Sequence, residues 1–197
     1  MNTFFAGNRK HLLFIFSFQL LCLFAGAQVS YKGATSDLLI SGTSTLHDWT
    51  MKSAKADCAA TIALNAAGQI NSISTLSFST PATALKSEHT SMDNNAYTAL
   101  KTDKNPTIVY SMTSVTTTPS NAGVTVTCKG RLTIAGATRD EDIVALCKTN
   151  PDGTITVTGT KSISMKQYSI DPPTFALGTV KTGNNIVLTF HLILKKA

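Results

Sequence analysis

The sequence predicts an all-β protein of about eight antiparallel strands, closed as a barrel or packed as a sandwich, with one short helix. Three observations carry this. Apolar and polar residues alternate with a period of two over long stretches, Gly, Asn, Asp and Pro mark turns between them, and helical spacing is confined to one segment. The clearest stretch is 124–147. Val124, Val126, Cys128, Gly130, Leu132 and Ile134 share one face, and Thr125, Thr127, Lys129, Arg131 and Thr133 share the other. Ala135-Gly136-Ala137 turns the chain, and the return limb puts Glu141, Ile143, Ala145 and Cys147 on one side and Val144 and Leu146 on the other. A hairpin of this length needs a sheet around it and an apolar filling against its inner face.

The first 27 residues read as an address and not as part of the fold. Arg9 and Lys10 precede the apolar run from Leu12 to Phe24, and Ala25-Gly26-Ala27 supplies small residues at a cleavage site. That is the pattern of a secretory signal peptide, and the run is too short to favour a membrane-spanning helix. Cys22 follows Leu21, which is not the small residue a lipoprotein signal requires. Residues 28–197 then form one domain of ordinary size, exported to the periplasm or secreted.

Within that domain the strands follow in order. Leu38 to Ser44 is the first, and Asp48 to Leu64 is a long second one with Ala54, Ala56, Cys58, Ala60, Ile62 and Leu64 in alternation. Asn65-Ala-Ala-Gly68 turns it, and Ile70 to Thr80 returns with Leu76 and Phe78 inward. Glu88 to Lys101 carries Met92, Ala96, Tyr97 and Leu100 near helical spacing, with Ser91 or Asp93 as N-cap. Pro106 launches the strand 107–118, with Ile108, Tyr110 and Met112 on one face, and 119–123 turns into the hairpin. Asn150-Pro-Asp-Gly153 leads to the strand 154–164. Residues 165–183 are too long for a tight turn and read as a flap over one end. The last strand starts near Asn184, with Ile186, Leu188, Phe190, Leu192 and Leu194 on one face.

Composition excludes several function classes. Without the leader, Lys plus Arg falls from 17 to 15 against 11 acidic residues, so net charge drops from +6 to +4. The cations are scattered and the aromatics few, so no nucleic-acid partner is expected. Three cysteines remain, Cys58, Cys128 and Cys147. Cys128 and Cys147 sit on adjoining limbs of the hairpin. Either these two form a disulfide, or all three are small buried apolar groups. No C-x-x-C occurs, and His47, His89 and His191 lack metal-ligand spacing, so neither a metal nor another cofactor is expected.

Several motifs resemble those of the YceI-like proteins, exported lipocalin-like barrels associated with polyisoprenoid and other lipid ligands. Gly130-Arg-Leu-Thr-Ile-Ala-Gly-Ala-Thr138 is similar to their G-x-L-T-I-x-G-x-T hairpin, and Asn105-Pro-Thr-Ile-Val-Tyr110 to their P-x-I-x-F passage, with Tyr in the aromatic place. Leu85-Lys-Ser87 with Met92-Asp93 resembles a segment that usually reads Arg-Asp, and here Met92 stands where the arginine is expected. Gly42-Thr-Ser-Thr-Leu-His-Asp-Trp49 resembles the first strand and its His-containing end. The resemblance spans most of residues 36–196. It implies an eight-stranded lipocalin-like barrel that holds an extended apolar tail.

The residues agree with that implication. An eight-stranded barrel either fills its interior or holds one small ligand, and inward positions here are often Ala, Gly, Val and Cys. The expected ligand is a polyisoprenoid, quinone or fatty-acid-type lipid. Its tail would run along Ile108, Tyr110, Val126, Leu132, Ile134 and Phe190, with Leu76, Phe78, Leu100 and Phe175 completing the wall and the head near 88–101. Such a carrier allows transient membrane contact and a homodimer. Catalysis is not expected: His47 and Asp48 read as barrel-mouth residues, Arg139-Asp-Glu-Asp142 as a solvated rim, and no nucleophile elbow or phosphate loop is present. The alternative is a small outer-membrane barrel or a structural envelope protein. Eight aromatics after the leader are few for the two girdles of a membrane barrel.

Overall fold

The alternating run at the centre of the chain becomes the hairpin its pattern demands. In the computed structural model, which describes residues 28–197, β6 (Gly123–Ile134) and β7 (Ala137–Thr149) pair antiparallel from Val124 opposite Cys147 to Ile134 opposite Ala137. Ala135 and Gly136 both take positive φ, as a two-residue hairpin turn of type I′ requires. The signal peptide read in residues 1–27 lies outside the described residues.

The other staves are β1 (Gln28–Ser44), β2 (Trp49–Ser53) with β3 (Asp57–Leu64), β4 (Ile70–Pro81), β5 (Thr107–Ser120), β8 (Ile155–Ser164) and β10 (Val180–Lys196). The order runs β1-β3-β4-β5-β6-β7-β8-β10, and β10 pairs back onto β1 from Tyr31 opposite Lys196 to Ser44 opposite Thr182. Every pairing is antiparallel, so the sheet closes as an eight-stave barrel and leaves no long edge. The sandwich is thereby excluded.

Three boundaries differ from the sequence reading. The first strand begins ten residues earlier than Leu38, in a polar segment whose one large inward group is Tyr31, 1% exposed. The long strand 48–64 is two strands sharing one stave. β3 pairs the first half of β1 and β2 pairs the second, with a break at 54–56. There side-chain oxygens replace ladder partners: Ser36 Oγ accepts the Ala56 N–H at 3.1 Å and Ser53 Oγ accepts the Lys55 N–H at 3.1 Å. Third, β10 starts at Val180 because the flap folds its own two-residue strand, β9 (Thr174–Phe175), against Val180 and Lys181.

One end of the barrel is shut by the short turns and by Tyr31, Ile62, Ile155 and Leu194, none more than 2% exposed. The other end is covered by α1 (Thr90–Leu100), by the 165–180 crossover and by the 44–48 loop. The N-cap of α1 is His89, without a side-chain cap, and not Ser91 or Asp93. Asp93 has a different task. Its carboxylate accepts the Ser87 N–H at 2.7 Å and the Ser87 hydroxyl at 2.8 Å, and lies 3.4 Å from Lys86 Nζ. The 86 position is in turn bridged to Lys52 of β2 by two backbone bonds of 2.7 and 2.8 Å. This chain of contacts straps the helix to the rim.

Two inward glycines decide how the aromatics lie. A Cβ on Gly130 would stand 2.5 Å from the Tyr110 ring, and one on Gly159 would stand 2.4 Å from the Phe190 ring. Each ring therefore lies along the wall, across a neighbouring strand, and not out into the axis.

The cysteines form no disulfide: Cys58, Cys128 and Cys147 are free and buried. Register explains it for the hairpin pair. Cys128 opposes Ile143, while Cys147 opposes Val124, four residues or about 13 Å further along the strand. A disulfide tolerates at most about 7 Å between Cα atoms. Burial pushes the Cys128 thiol up to about 11, and burial first and neighbouring thiols second push Cys58 up to about 11 and Cys147 up to about 12.

Three outcomes are expected. Gly159→Ala should cost about 1–3 kcal/mol in urea unfolding, because the new methyl also meets the Val144 carbonyl at 2.6 Å; an unchanged midpoint would contradict the packing. Burial alone would raise Asp93, but the Ser87 and Lys86 contacts outweigh it and hold the carboxyl below its ordinary range. Its contribution is therefore present above about pH 4 and fades as pH falls through the lowered value. Asp93→Ala should cost about 1–3 kcal/mol near neutrality, with the gap to wild type narrowing toward pH 3. Finally, a disulfide-exchange reagent at pH 8 should label none of the three thiols quickly in the native protein and all of them in denaturant, read by peptide mass.

Candidate ligand-binding site

The barrel axis is hollow. A cavity of about 450 Å³ runs between the closed end and the lid, within the usual range of small-molecule sites. Its wall follows from alternation. The inward set of β6 meets that of β7 at Ile143, Ala145 and Cys147, and β8 and β10 bring Val157 opposite Leu192 and Ile163 opposite Ile186. Small groups form part of the wall: Cys58 and Ala60 on β3, Cys128 on β6 and Ala145 on β7. The lid contributes Met92, Ala96, Ala99 and Leu100, which fall on one face of α1. Tyr97, expected on that face, turns away and donates its hydroxyl to the Thr83 and Leu85 carbonyls at 2.9 Å each.

All ten residues proposed from the sequence stand on this wall: Leu76 and Phe78 on β4, Leu100 on α1, Ile108 and Tyr110 on β5, Val126, Leu132 and Ile134 on β6, Phe175 on β9 and Phe190 on β10. Leu38, Ile40, Leu188 and Leu192 were on inward faces by alternation and belong with them. Met51, Met165 and Ile170 carry no periodic signal, because they sit on a five-residue strand and in the crossover.

Polar groups in the wall are few, and the Tyr110 phenol and the Lys161–Glu141 ion pair are held in place. The Tyr110 hydroxyl lies 3.0 Å from the Cys128 carbonyl and 3.3 Å from that of Glu141, and burial pushes its phenol well above the usual range. The 139–142 cluster is only partly a solvated rim. Arg139, Asp140 and Asp142 are exposed, but Glu141 lies on the inward face of β7. It pairs with Lys161 of β8 and accepts the Tyr168 hydroxyl at 3.0 Å. Burial first, and then the Glu141 contact, holds the Tyr168 phenol protonated. Lys161 itself lines the cavity.

The histidines do not converge. His47 makes turn contacts at the mouth: its Nδ1 lies 2.7 Å from the Asp48 carbonyl, and Ser44 Oγ donates to the His47 carbonyl at 2.7 Å. His89 is on the lid side of the cavity. His191 faces Asp37 at 3.7 Å on the outer wall. Among the described residues no group of three or more His, Cys, Asp or Glu is placed to hold a metal ion.

Outside, β6 is polar: Lys129 and Arg131 are exposed, and Thr125, Thr127 and Thr133 are half-buried.

Comparisons with known proteins agree with this architecture. The Burkholderia cenocepacia protein BcnA superposes with a TM-score of 0.65 at 12% identity, covering 80% of this chain and 95% of that one. A Saccharophagus degradans polyisoprenoid binding domain, implicated in plant cell wall breakdown, gives 0.64 at 11%, covering 86% and 99%. The Campylobacter jejuni YCEI protein gives 0.54 at 19%, covering 73% and 85%. At these identities the likeness is one of fold. No curated protein matches the chain. Residues 27–194 match the YceI-like domain, and by that match over most of its length this chain belongs to the YceI-like proteins.

Proposed function

We propose that this protein is a non-enzymatic carrier that binds, stores or transports an isoprenoid-type or other long-chain lipid in its barrel, in the periplasm or outside the cell. The observation that carries the reading is the cavity: about 450 Å³, shut at one end, with a wall of aliphatic, aromatic and thiol groups. Each CH₂ moved there from water contributes roughly 0.8 kcal/mol, so a tail of about ten carbons offers roughly 8 kcal/mol before ordering costs. Binding of this kind needs no catalytic group. The polyisoprenoid binding domain among the structural neighbours supports the ligand class. The leader read in residues 1–27 supports export. Leu76, Phe78, Leu100, Ile108, Tyr110, Val126, Leu132, Ile134, Phe175 and Phe190 are the residues we assign to the tail.

A membrane barrel needs the opposite arrangement, an apolar band facing lipid, and the outward Lys129 and Arg131 stand against it. The carrier should be a monodisperse monomer or dimer without detergent, whereas a membrane barrel aggregates.

The direct test is mass spectrometry of an organic extract of the purified protein, followed by reloading the stripped protein with a polyprenyl lipid. A long-chain lipid should be recovered, and Ala145→Phe should lower uptake at least tenfold because a phenyl ring at this inward wall position would take up part of the cavity. A wild-type preparation that neither carries nor takes up any hydrocarbon would sink the reading.

A further inference from the structure

The wall contains one charged side chain in a place where apolar ones are the rule. Among the described residues lining the cavity, Lys161 is the only Lys, Arg, Asp or Glu. Its side chain is 20% exposed, and that of its partner Glu141 is 13% exposed. Taking such a pair out of water costs several kcal/mol per ion, and as a source of stability a buried ion pair is often no better than apolar residues of the same volume. The arrangement around it shows what is left over. Each Glu141 oxygen has a partner, one Lys161 and the other the hydroxyl of Tyr168, which is 0% exposed. The Lys161 ammonium has three protons. Glu141 takes one, and the Asp142 carbonyl, at 2.9 Å, takes a second. The third has no partner among the described residues, and Lys161 stands on the cavity wall.

We propose that Lys161 is the head-group anchor of the cavity, and that the Lys161–Glu141–Tyr168 cluster selects a lipid whose head offers an uncharged acceptor oxygen, a hydroxyl or a carbonyl. This rests on the lipid-carrier reading above. The selectivity follows from charge. Lys161 is already neutralised by Glu141, so a phosphate or carboxylate placed here would add an uncompensated anion beside a carboxylate in an apolar chamber, which is expensive. A neutral oxygen needs only the third proton. Tyr168 holds Glu141 in place, so the carboxylate does not swing aside to make room for a second anion. The position suits an anchor. Lys161 lies three residues from the lid end of β8, and Ile155, at the shut end, is six residues or about 20 Å along the strand. A head held at Lys161 sends its tail past Val157, Leu192 and Cys147 toward the floor.

The test uses stripped protein and three probes that share an isoprenoid-type tail: geranylgeraniol, geranylgeranyl phosphate and phytane, which has no head. Each is titrated against bound N-phenylnaphthylamine. Wild type should bind geranylgeraniol about tenfold more tightly than phytane, the scale of one hydrogen bond to a charged group, and at least tenfold more tightly than the phosphate. In the volume-conserving double variant Lys161→Met/Glu141→Gln, geranylgeraniol should fall to the level of phytane while phytane is unchanged. An alcohol advantage that survives in the folded double variant overturns the assignment to Lys161. Should that variant not fold, the wild-type ranking still decides, and any order other than alcohol first overturns the proposal. Phytane binding with no preference for the alcohol leaves the carrier reading standing and removes this one, whereas failure of all three probes removes both.

Discussion

The hollow axis depends on a steric exchange between strands. A closed eight-stranded barrel is narrow enough that a few large side chains meeting at the centre would fill it. Tyr110 and Phe190 are such side chains, and both point inward. They do not meet because Gly130 and Gly159, also inward, leave shallow troughs in the wall, and each ring lies down in one. The Tyr110 hydroxyl then reaches the Cys128 and Glu141 carbonyls, which pins the ring flat. The ring area that would have plugged the axis becomes part of its lining.

Everything else in the barrel is consistent with that void. The floor is filled, with Tyr31, Ile62 and Ile155 buried to 2% or less, so the vacancy is a blind chamber and not a pore. The roof is made of the parts of the chain least tied to the sheet: α1, the crossover and the 44–48 loop. It is fastened by Asp93 to Ser87, by position 86 to Lys52, by Tyr97 to the Thr83 and Leu85 carbonyls, by Tyr168 to Glu141, by β9 to β10, and by the Thr45 N–H to the Lys181 carbonyl at 3.0 Å.

Much of the barrel could be read in the sequence because alternation is a local signal. Residues 124–134 and 186–194 placed their inward faces correctly, and all ten assigned wall residues lie on the cavity. Where alternation is interrupted or masked, reading failed for identifiable reasons. Gln28 to Asp37 is too polar to look like a strand, yet β10 supplies its partner across 150 residues of chain. The break at 54–56 is set by Ser36 and Ser53 hydroxyls, whose targets only the fold brings near. The disulfide idea failed because adjacency of strands is not adjacency of residues: register separates Cys128 from Cys147. Glu141 was on the correct face by periodicity, but its charge and its neighbours Asp140 and Asp142 suggested solvent. Only Lys161, from the next strand, makes an inward carboxylate tolerable.

The same locality limits what such a chamber can recognise. An aliphatic wall has no direction, and it discriminates tails by length and bulk at one to three kcal/mol per misplaced group. The three thiols add no chemistry, since burial keeps them protonated at neutral pH. Selectivity for anything beyond a tail must come from groups with direction, and in this wall those groups are nearly all committed. Tyr110 is committed to backbone carbonyls, Tyr168 to Glu141, and Glu141 to Tyr168 and Lys161. On the proposed assignment, the remaining proton of Lys161 orients the head of a guest. That economy keeps the desolvation cost of the wall low while still distinguishing one end of a guest from the other, which a carrier must do if it is to take a lipid up and give it back the same way round.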